Sequence, residues 1–419
     1  MSNRRNFLKI LGTGFAAATA NPIMAGVTRM KSPNKTIKIG VLSPQSNICP
    51  QYPYSFMNGF RLGVDQNKAI KKQHIEIVNE SNGYGTPFLS KQNTEKLLFE
   101  NGVDLMIGIL GNEVVGQFES LFTQKQVPFV VCNAGEYYPV KSLRENPYLF
   151  FNTLNLFQSS FASGAYATTQ YGKRGFIVSS LYDCGYDSIF AFTRGVENNN
   201  GAVEETLVMK MNEADFSAKA ISRIKASNPD YVYVLLSGET ARDFIVQYQN
   251  SEIKNIPLIT TPFLIDTHNR TTLGHFAENL ESISPWDRDV ETRENKDFYK
   301  KYLETHRSEP DLFAALGYET GKMIYQALAL ADGNYTGANI RKSLDSVAMN
   351  SIRGEFNVDP KTGWTQTPLY RIKMKYNTLN SSIEGDISEI HEPVYVAHED
   401  FTVLDNSLRS GWFNPYLFV

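Results

Sequence analysis

The sequence predicts an α/β protein of two similar lobes, each built on a parallel sheet, and three observations lead there. Residues 103–110 carry Val103, Leu105, Met106, Ile107, Ile109 and Leu110, a short apolar run suited to a strand buried on both faces. The run empties into Gly111-Asn112-Glu113, and a helix pattern follows at once through Val114, Val115, Phe118, Leu121 and Phe122. The order strand, helix, strand, helix then recurs in two series. Each series closes with a helix, a Val/Ile-Pro pair and an apolar strand, at Val127-Pro128-Phe129 and at Ile256-Pro257-Leu258. Finally, 419 residues exceed one ordinary domain core. In open α/β sheets the ligand crevice lies outside the carboxyl ends of the strands. The loop at 111–113 and its equivalents are therefore expected to line a small-molecule cleft.

Before the fold comes a segment with a different pattern. Arg4, Arg5 and Lys9 make a basic start, and residues 10–20 are apolar and small but too short to span a bilayer. Residues 3–9 resemble a bacterial twin-arginine export signal, with Asn3 where Ser or Thr is usual. Cleavage is expected after Ala20 or Ala25, giving a periplasmic protein. No Cys follows the segment, so no lipoprotein anchor is expected, and no other stretch is apolar enough for stable membrane insertion.

From there the elements run in order. Residues 36–42 are a strand, 43–52 its exit loop, and a helix carries Phe56, Phe60 and Val64 at i, i+4, i+8. Residues 74–78 are strand-like and end in a Gly-broken loop at 80–85. A helix at 90–100 stops at Gly102; the 103–110 strand and its helix follow, then a strand at 129–131 leading into 132–136. Residues 150–153 read as a crossing into the second lobe. There a helix at 157–171, a strand at 175–179, a helix carrying Ile189, Phe192 and Val196, and a strand at 203–209 follow. A helix through Phe216, Ala220 and Ile224 ends at Asn228-Pro229; after it come a strand at 231–235, a helix through Phe244, Ile245 and Tyr248, and a strand at 256–259. Beyond Trp286, helical patterns at 297–307 and 313–330 precede strand-like stretches at 355–357 and 369–375. Residues 379–419 lack a clear period but hold Tyr395, Phe401, Trp412, Phe413, Tyr416 and Phe418, too aromatic for a disordered tail.

Composition excludes several functions. A formal net charge of −3 leaves no basic footprint for nucleic acid. Neither GxGxxG after the first strand nor a Walker loop, HExxH or GxSxG motif is present. The six His do not cluster with acids at ligand spacing. Cys49, Cys132 and Cys184 are odd in number without a CxxC pair, which indicates no zinc site and no disulfide framework. Small buried residues near strand ends is their leading reading; a Cys49–Cys132 disulfide is conceivable in an oxidising compartment. No cofactor is implied.

What remains is the composition of the strand-end loops. They gather Tyr52, Tyr54, Tyr84, Tyr137, Tyr138, Tyr182, Tyr186, Phe263 and Trp286 with Glu80, Glu113, Glu136, Asp183, Asp187 and Glu239, and almost no Lys or Arg. An aromatic cleft with a few acids suits an organic ligand carrying a cationic group. For any one of these acids at a helix start, capping and the macrodipole come ahead of ligand contact; the combination with so many rings tips the set slightly toward ligand binding.

Between Thr36 and Met374 the chain resembles the type I periplasmic solute-binding proteins, specifically the branched-chain amino acid receptors of ATP-binding cassette importers. The resemblance rests on Tyr148-Leu149-Phe150-Phe151-Asn152-Thr153, Asp215-Phe216-Ser217-Ala218-Lys219, Asn228-Pro229-Asp230-Tyr231, Phe313-Ala314-Ala315-Leu316-Gly317-Tyr318-Glu319 and Gly354-Glu355-Phe356-Asn357-Val358-Asp359-Pro360, in that order. It implies two Rossmann-like lobes joined by a three-crossing hinge: 36–152 plus 270–345 as lobe one, 153–262 plus 346–378 as lobe two, and 379–419 as an extension. It further implies a ligand carboxylate held near Gly111-Asn112-Glu113 and Asn133-Ala134-Gly135-Glu136, an ammonium paired with Glu239, and a covering ring from Tyr182 or Tyr186. Asn112, Glu113, Asn133 and Glu136 stand where Ser or Thr is usual, which points away from a plain aliphatic amino acid. The implied function is capture of a small amino-acid-like, amide or amine solute for a permease in the inner membrane. A sensor on the same fold is the alternative; an enzyme using Cys132 or Cys184 with Glu136 has no supporting spacing.

Overall fold

The computed structural model describes residues 36–390 apart from 46–49, 66–73, 136–142, 144, 181–185, 211, 212, 214, 361 and 362. The export segment, Cys49, Cys184 and the aromatic stretch beyond 390 lie outside the described residues.

The first sheet is parallel throughout, in the order β2-β1-β3-β4-β5. Its strands are β1 (Ile37–Ser43), β2 (Ile75–Ser81), β3 (Leu105–Ile109), β4 (Phe129–Asn133) and β5 (Leu149–Thr153). Every residue of β3, β4 and β5 is buried, which is why their sequences run apolar from the start rather than alternating, turning polar only at the carboxyl ends of β4 and β5. The stretch expected to be a bare crossing is thus a strand: Leu149–Thr153 pairs with β4 from Phe129↔Leu149 to Asn133↔Thr153, and the chain crosses just after it. Around this sheet lie α1 (Gln51–Asp65), α2 (Pro87–Glu95, continuing as a wider π turn to Asn101), and the short α3 (Asn112–Val115) and α4 (Ser120–Lys125).

The second lobe opens with α5 (Leu156–Gln170), then β6 (Arg174–Ser180), α6 (Tyr186–Asn198), β7 (Ala202–Met209), α7 (Phe216–Ser227), β8 (Tyr231–Leu235), α8 (Gly238–Gln249) and β9 (Leu258–Thr260). A 3-10 turn at Pro262–Ile265 leads to α9 (Thr267–Leu273) and β10 (Glu281–Ser284). α10 (Arg293–His306), α11 (Leu312–Leu330) and α12 (Gly337–Leu344) follow, then β11 (Ala348–Ser351), β12 (Gly354–Val358), β13 (Thr365–Gln366), β14 (Leu369–Asn377) and β15 (Ser382–Ile390). The second sheet runs β15-β14-β10-β9-β8-β6-β7, and β11-β12-β13 form a small sheet of their own.

Two features depart from the sequence expectations. β10 lies inside the second sheet, parallel to β9 and antiparallel to β14, within the 270–345 stretch expected in the first lobe. Its sequence, Glu-Ser-Ile-Ser, does not announce a strand. The buried Glu281 carboxylate is tolerated because Tyr166 Oη (2.9 Å), Tyr171 Oη (2.6 Å) and Arg371 Nε (3.2 Å) donate to it and Lys373 Nζ pairs with it at 3.0 Å. The start of the extension is also structured: Ser382–Ile390 pairs with β14 along its whole length as an edge strand.

Glycines make the first helix pair of each lobe rigid. A Cβ on Gly59 of α1 would lie 2.0 Å from the Ala314 carbonyl oxygen, and one on Gly317 of α11 2.0 Å from that of Phe56. In the second lobe Gly164 of α5 and Gly195 of α6 stand in the same relation to Phe192 and Phe161, at 2.1 and 2.0 Å. Backbones this close admit no side chain between them.

Where the lobes join, Arg353 is fully buried and paired with Glu319 of α11, also fully buried. Arg353 Nε donates to Glu319 Oε2 (2.6 Å), Nη1 to the Thr153 carbonyl (2.6 Å) and Nη2 to Asn152 Oδ1 (2.7 Å). Ser351 Oγ donates to the other Glu319 oxygen, and Thr365 Oγ1 to Asn152 Oδ1 (3.2 Å). Arg353→Met should leave Glu319 buried and unpaired and lower stability by about 3–5 kcal/mol in urea unfolding, with most of the loss recovered on adding Glu319→Leu. A single-variant loss below about 1 kcal/mol would contradict this role.

Candidate functional site

The carboxyl ends of β2, β3 and β4 are braced by amide side chains. Asn82, just past β2 and fully buried, donates from Nδ2 to the Ile109 carbonyl (3.3 Å). Asn133, at the end of β4, donates from Nδ2 to the Leu110 carbonyl (3.0 Å) and to Asn112 Oδ1 (3.1 Å). Its own Oδ1 accepts the Gly135 N–H (2.8 Å). Asn112 and Asn133, expected to touch ligand, are therefore buried and tied to one another. The Gly135 N–H, one of the donors expected for a ligand carboxylate, is already engaged. Asn82 was not singled out from sequence, although the Asn-Gly pair closing β2 marks the turn that positions it.

The loop after β4 is joined to the start of the second lobe. Leu156 and Phe157 N–H donate to the Ala134 and Gly135 carbonyls, at 2.9 and 2.8 Å. Gly135 has φ +77°, and a Cβ there would lie 2.3 Å from the Asn155 nitrogen, so only glycine fits. Ala134 is buried. The first two N–H groups of α5 are consequently spent on lobe-one carbonyls.

Two of the strand-end rings singled out from sequence, Tyr52 and Phe263, meet in one specific arrangement. Tyr52, in the first turn of α1, stacks on Phe313 at the start of α11, with centroids 4.9 Å apart and planes at 27°. Phe263, just past β9 of the second sheet, lies 6.1 Å from Phe313 at 8° and 5.8 Å from Tyr52 at 33°. Strand-end segments of both sheets thus meet through three rings, a geometry with intrinsic attraction of about 0.5–1.5 kcal/mol per pair beyond burial. Trp286, by contrast, is a core residue: its indole N–H donates to Asn295 Oδ1 (2.7 Å) and its ring packs edge-on against Phe298.

The remaining expected residues are dispersed or undescribed. Tyr84 is 46% exposed beyond β2, and Glu113 is exposed in the first turn of α3. Glu239 lies in the first turn of α8 with its side chain 89% exposed, 3.6 Å from Arg242 Nη1 one turn on. Tyr186 opens α6, and its side chain is outside the described residues, as are Glu136, Tyr182 and Asp183. Among the described residues, no cluster of His, Cys, Asp and Glu is placed to hold a metal, and no helix is long and apolar enough to cross a membrane.

Cys132 is the small buried residue its leading reading gave: a free thiol 3.5 Å from Thr320 Oγ1 on α11, not half of the conceivable disulfide with Cys49. Its side chain points into the layer between the first sheet and α11 rather than toward the strand-end loops.

Comparison with known proteins fits this geometry. A family model described as periplasmic binding protein matches residues 36–378. A search of curated proteins found no match. Among solved structures, an ABC transporter substrate-binding protein from Sphaerobacter thermophilus is similar at TM-score 0.74 and 24% identity, over 85% of this chain and 96% of that one. A solute-binding protein of an ABC transporter from Rhodopseudomonas palustris, in complex with 3,4-dihydroxybenzoic acid, aligns at 0.71 and 20%, over 84% and 96%. A branched-chain amino acid transporter substrate-binding protein from Streptococcus pneumoniae, in complex with isoleucine, aligns at 0.68 and 19%, over 85% and 100%.

Burial pushes the Cys132 thiol up to about 12, ahead of the opposing hydrogen bond from Thr320 and the charge of Arg353. At mildly alkaline pH it should be alkylated about a thousandfold more slowly in the folded chain than in the denatured one, read by peptide mass mapping. Comparable rates would show that β4 and α11 part readily.

Proposed function

The chain belongs to the periplasmic binding protein family, and from that premise we propose that it captures a small amino-acid-like, amide or amine solute between its lobes and delivers it to an ABC-type permease in the inner membrane. The family is one of extracytoplasmic binding proteins, not enzymes. Export by the twin-arginine route, suggested by Arg4 and Arg5, is part of the same proposal.

The observation that carries the reading is the meeting of Tyr52 and Phe263 over Phe313. These rings come from the carboxyl-end segments of two separate sheets, where a ligand between lobes would be gripped. They supply an apolar wall against which a solute's body can stack. Glu239 offers a carboxylate at the start of α8 and would exchange its Arg242 contact for a ligand ammonium. In this proposal the lobes divide as outlined from sequence, except that the segment from α9 to β10 goes with the second lobe and β15 joins its sheet. The solute class has a second reading, an aromatic acid stacked on the same rings. It is favoured by the ring cluster itself and by the benzoate-type ligand of the R. palustris relative.

Thermal unfolding of the mature chain against amino acids, amides, amines and aromatic carboxylates tests the class. A ligand at about 100 times its dissociation constant should add roughly 2.7 kcal/mol, a shift of a few degrees. Tyr52→Ala should weaken the responding ligand by about tenfold or more through lost stacking. Glu239→Gln should weaken an ammonium-bearing ligand and leave a purely acidic one unaffected. Silence across all four classes would overturn the proposed solute chemistry.

A further inference from the structure

We infer that Asp266 is a proton-linked latch between the lobes, joining two helix starts from opposite sides of the cleft and holding them more tightly when it carries a proton. The inference does not depend on which solute is bound. Asp266 caps α9 of the second lobe, where its Oδ1 accepts the Thr267 N–H (2.8 Å). Its Oδ2 accepts the Leu312 N–H (3.3 Å) at the start of α11, which packs in the core of the first lobe. The residues on either side of α9 pack in the second-lobe core instead. A second bond runs in parallel, from Thr267 Oγ1 to the Pro310 carbonyl (2.9 Å). One carboxyl group therefore bridges the amino ends of two helices that belong to different lobes, directly beside the Tyr52–Phe313–Phe263 rings.

The chemistry of the junction decides its response to pH. Asp311, the cap of α11, sits beside Leu312 and accepts the Ala314 N–H (2.7 Å). Two carboxyls thus share the start of one helix. Burial, and then the charge of Asp311, push Asp266 up to about 8, against the opposing pull of the Thr267 and Leu312 N–H groups and of Arg270. Burial likewise raises Asp311, which Ser55 of α1 hydrogen-bonds.

The other charged and titratable groups around the pair do not neutralise it. On α9, Arg270 is engaged elsewhere, donating to the Ile265 carbonyl and to Asp289 and pairing with Asp287; His268 of the same helix is exposed. On α10, burial keeps Tyr302 protonated to about 12, and burial holds His306, packed against Tyr302, below its ordinary value. His306 is therefore already neutral where Asp266 titrates.

A raised carboxyl pKa means that the formed junction binds a proton which parted lobes, or the unfolded chain, release. The junction is therefore strongest at low pH. It weakens as pH rises from the ordinary aspartate range through the raised value, and it is weakest above that.

The test is a titration of the mature chain, without solute, from about pH 5 to about pH 9, reading the radius of gyration by small-angle scattering and the unfolding temperature. In the wild type the radius should grow and the unfolding temperature fall as the pH climbs, with one midpoint near that of Asp266. Asp266→Asn, uncharged at every pH and keeping its carbonyl oxygen as acceptor for one of the two N–H groups, should hold both readouts flat over the same interval. Should that variant not fold, Asp311→Asn serves instead: it removes the opposing charge and should move the midpoint to lower pH. A wild-type radius indifferent to pH, or an unaltered wild-type profile in Asp266→Asn or, where only that variant folds, in Asp311→Asn, would overturn the latch. A pH-dependent unfolding temperature with a constant radius would overturn it too, leaving Asp266 a local contributor to stability.

Discussion

The geometry of the whole molecule hangs on a guanidinium that never meets water. Arg353 lies where the strand β5 ends, where α11 runs beneath the first sheet, and where the small three-stranded sheet turns toward β14. A buried ion pair is favourable only when every donor and lone pair finds a partner, because the cost of removing two charges from water is several kcal/mol each. Here Glu319, Asn152, the Thr153 carbonyl, Ser351 and Thr365 complete the set, and Asn152 passes a further bond to Thr320 (2.9 Å). No apolar replacement would reproduce the directions of those bonds. Their effect is to tie the end of β5, the middle of α11 and the turn between β11 and β12 to one another.

That fixed centre is flanked by stiff bodies. The glycine contacts between α1 and α11 and between α5 and α6 bring helix backbones together with nothing compressible between them. Helices packed this closely cannot slide past one another without separating. Strand ends are braced in the same spirit. The bonds from Asn82 to Ile109 and from Asn133 to Leu110 and Asn112 remove local freedom from the first-lobe loops.

How far this could be read from sequence follows from where each signal resides. β1, β3, β4, β6 and β8 are buried between layers, and their apolar runs mark them without ambiguity. β5 was legible as an apolar stretch but not as a strand, because strand and crossing are consecutive there. β10 was illegible: Glu281 looks like a surface residue until Tyr166, Tyr171, Arg371 and Lys373, all more than 85 positions away in sequence, are brought to it. β15 reads as loop because an edge strand needs only one buried face, and Ile383 and Ile387 are too sparse to set a period. In the cleft, Tyr52 and Phe263 stood out as rings at strand ends. The acids did not sort themselves, since exposure separates Glu239 from Asp266 and nothing in the local sequence encodes it.

A two-lobed trap binds a solute with the affinity of its closed form divided by the cost of closing. In this chain some of the contacts that favour closure are made by the protein with itself. Tyr52, Phe263 and Phe313 already touch across the lobes, and Asp266 already reaches Leu312. Each such contact raises the population of the competent form before any solute arrives, and the apparent affinity rises by the same factor. That factor is common to every solute, so these contacts set affinity and leave discrimination to the groups a solute itself touches. Discrimination must come from groups that have no partner supplied by the fold's interior. Among the described residues at the strand ends, Glu239 has a contact of the weak kind, an exposed pair with Arg242.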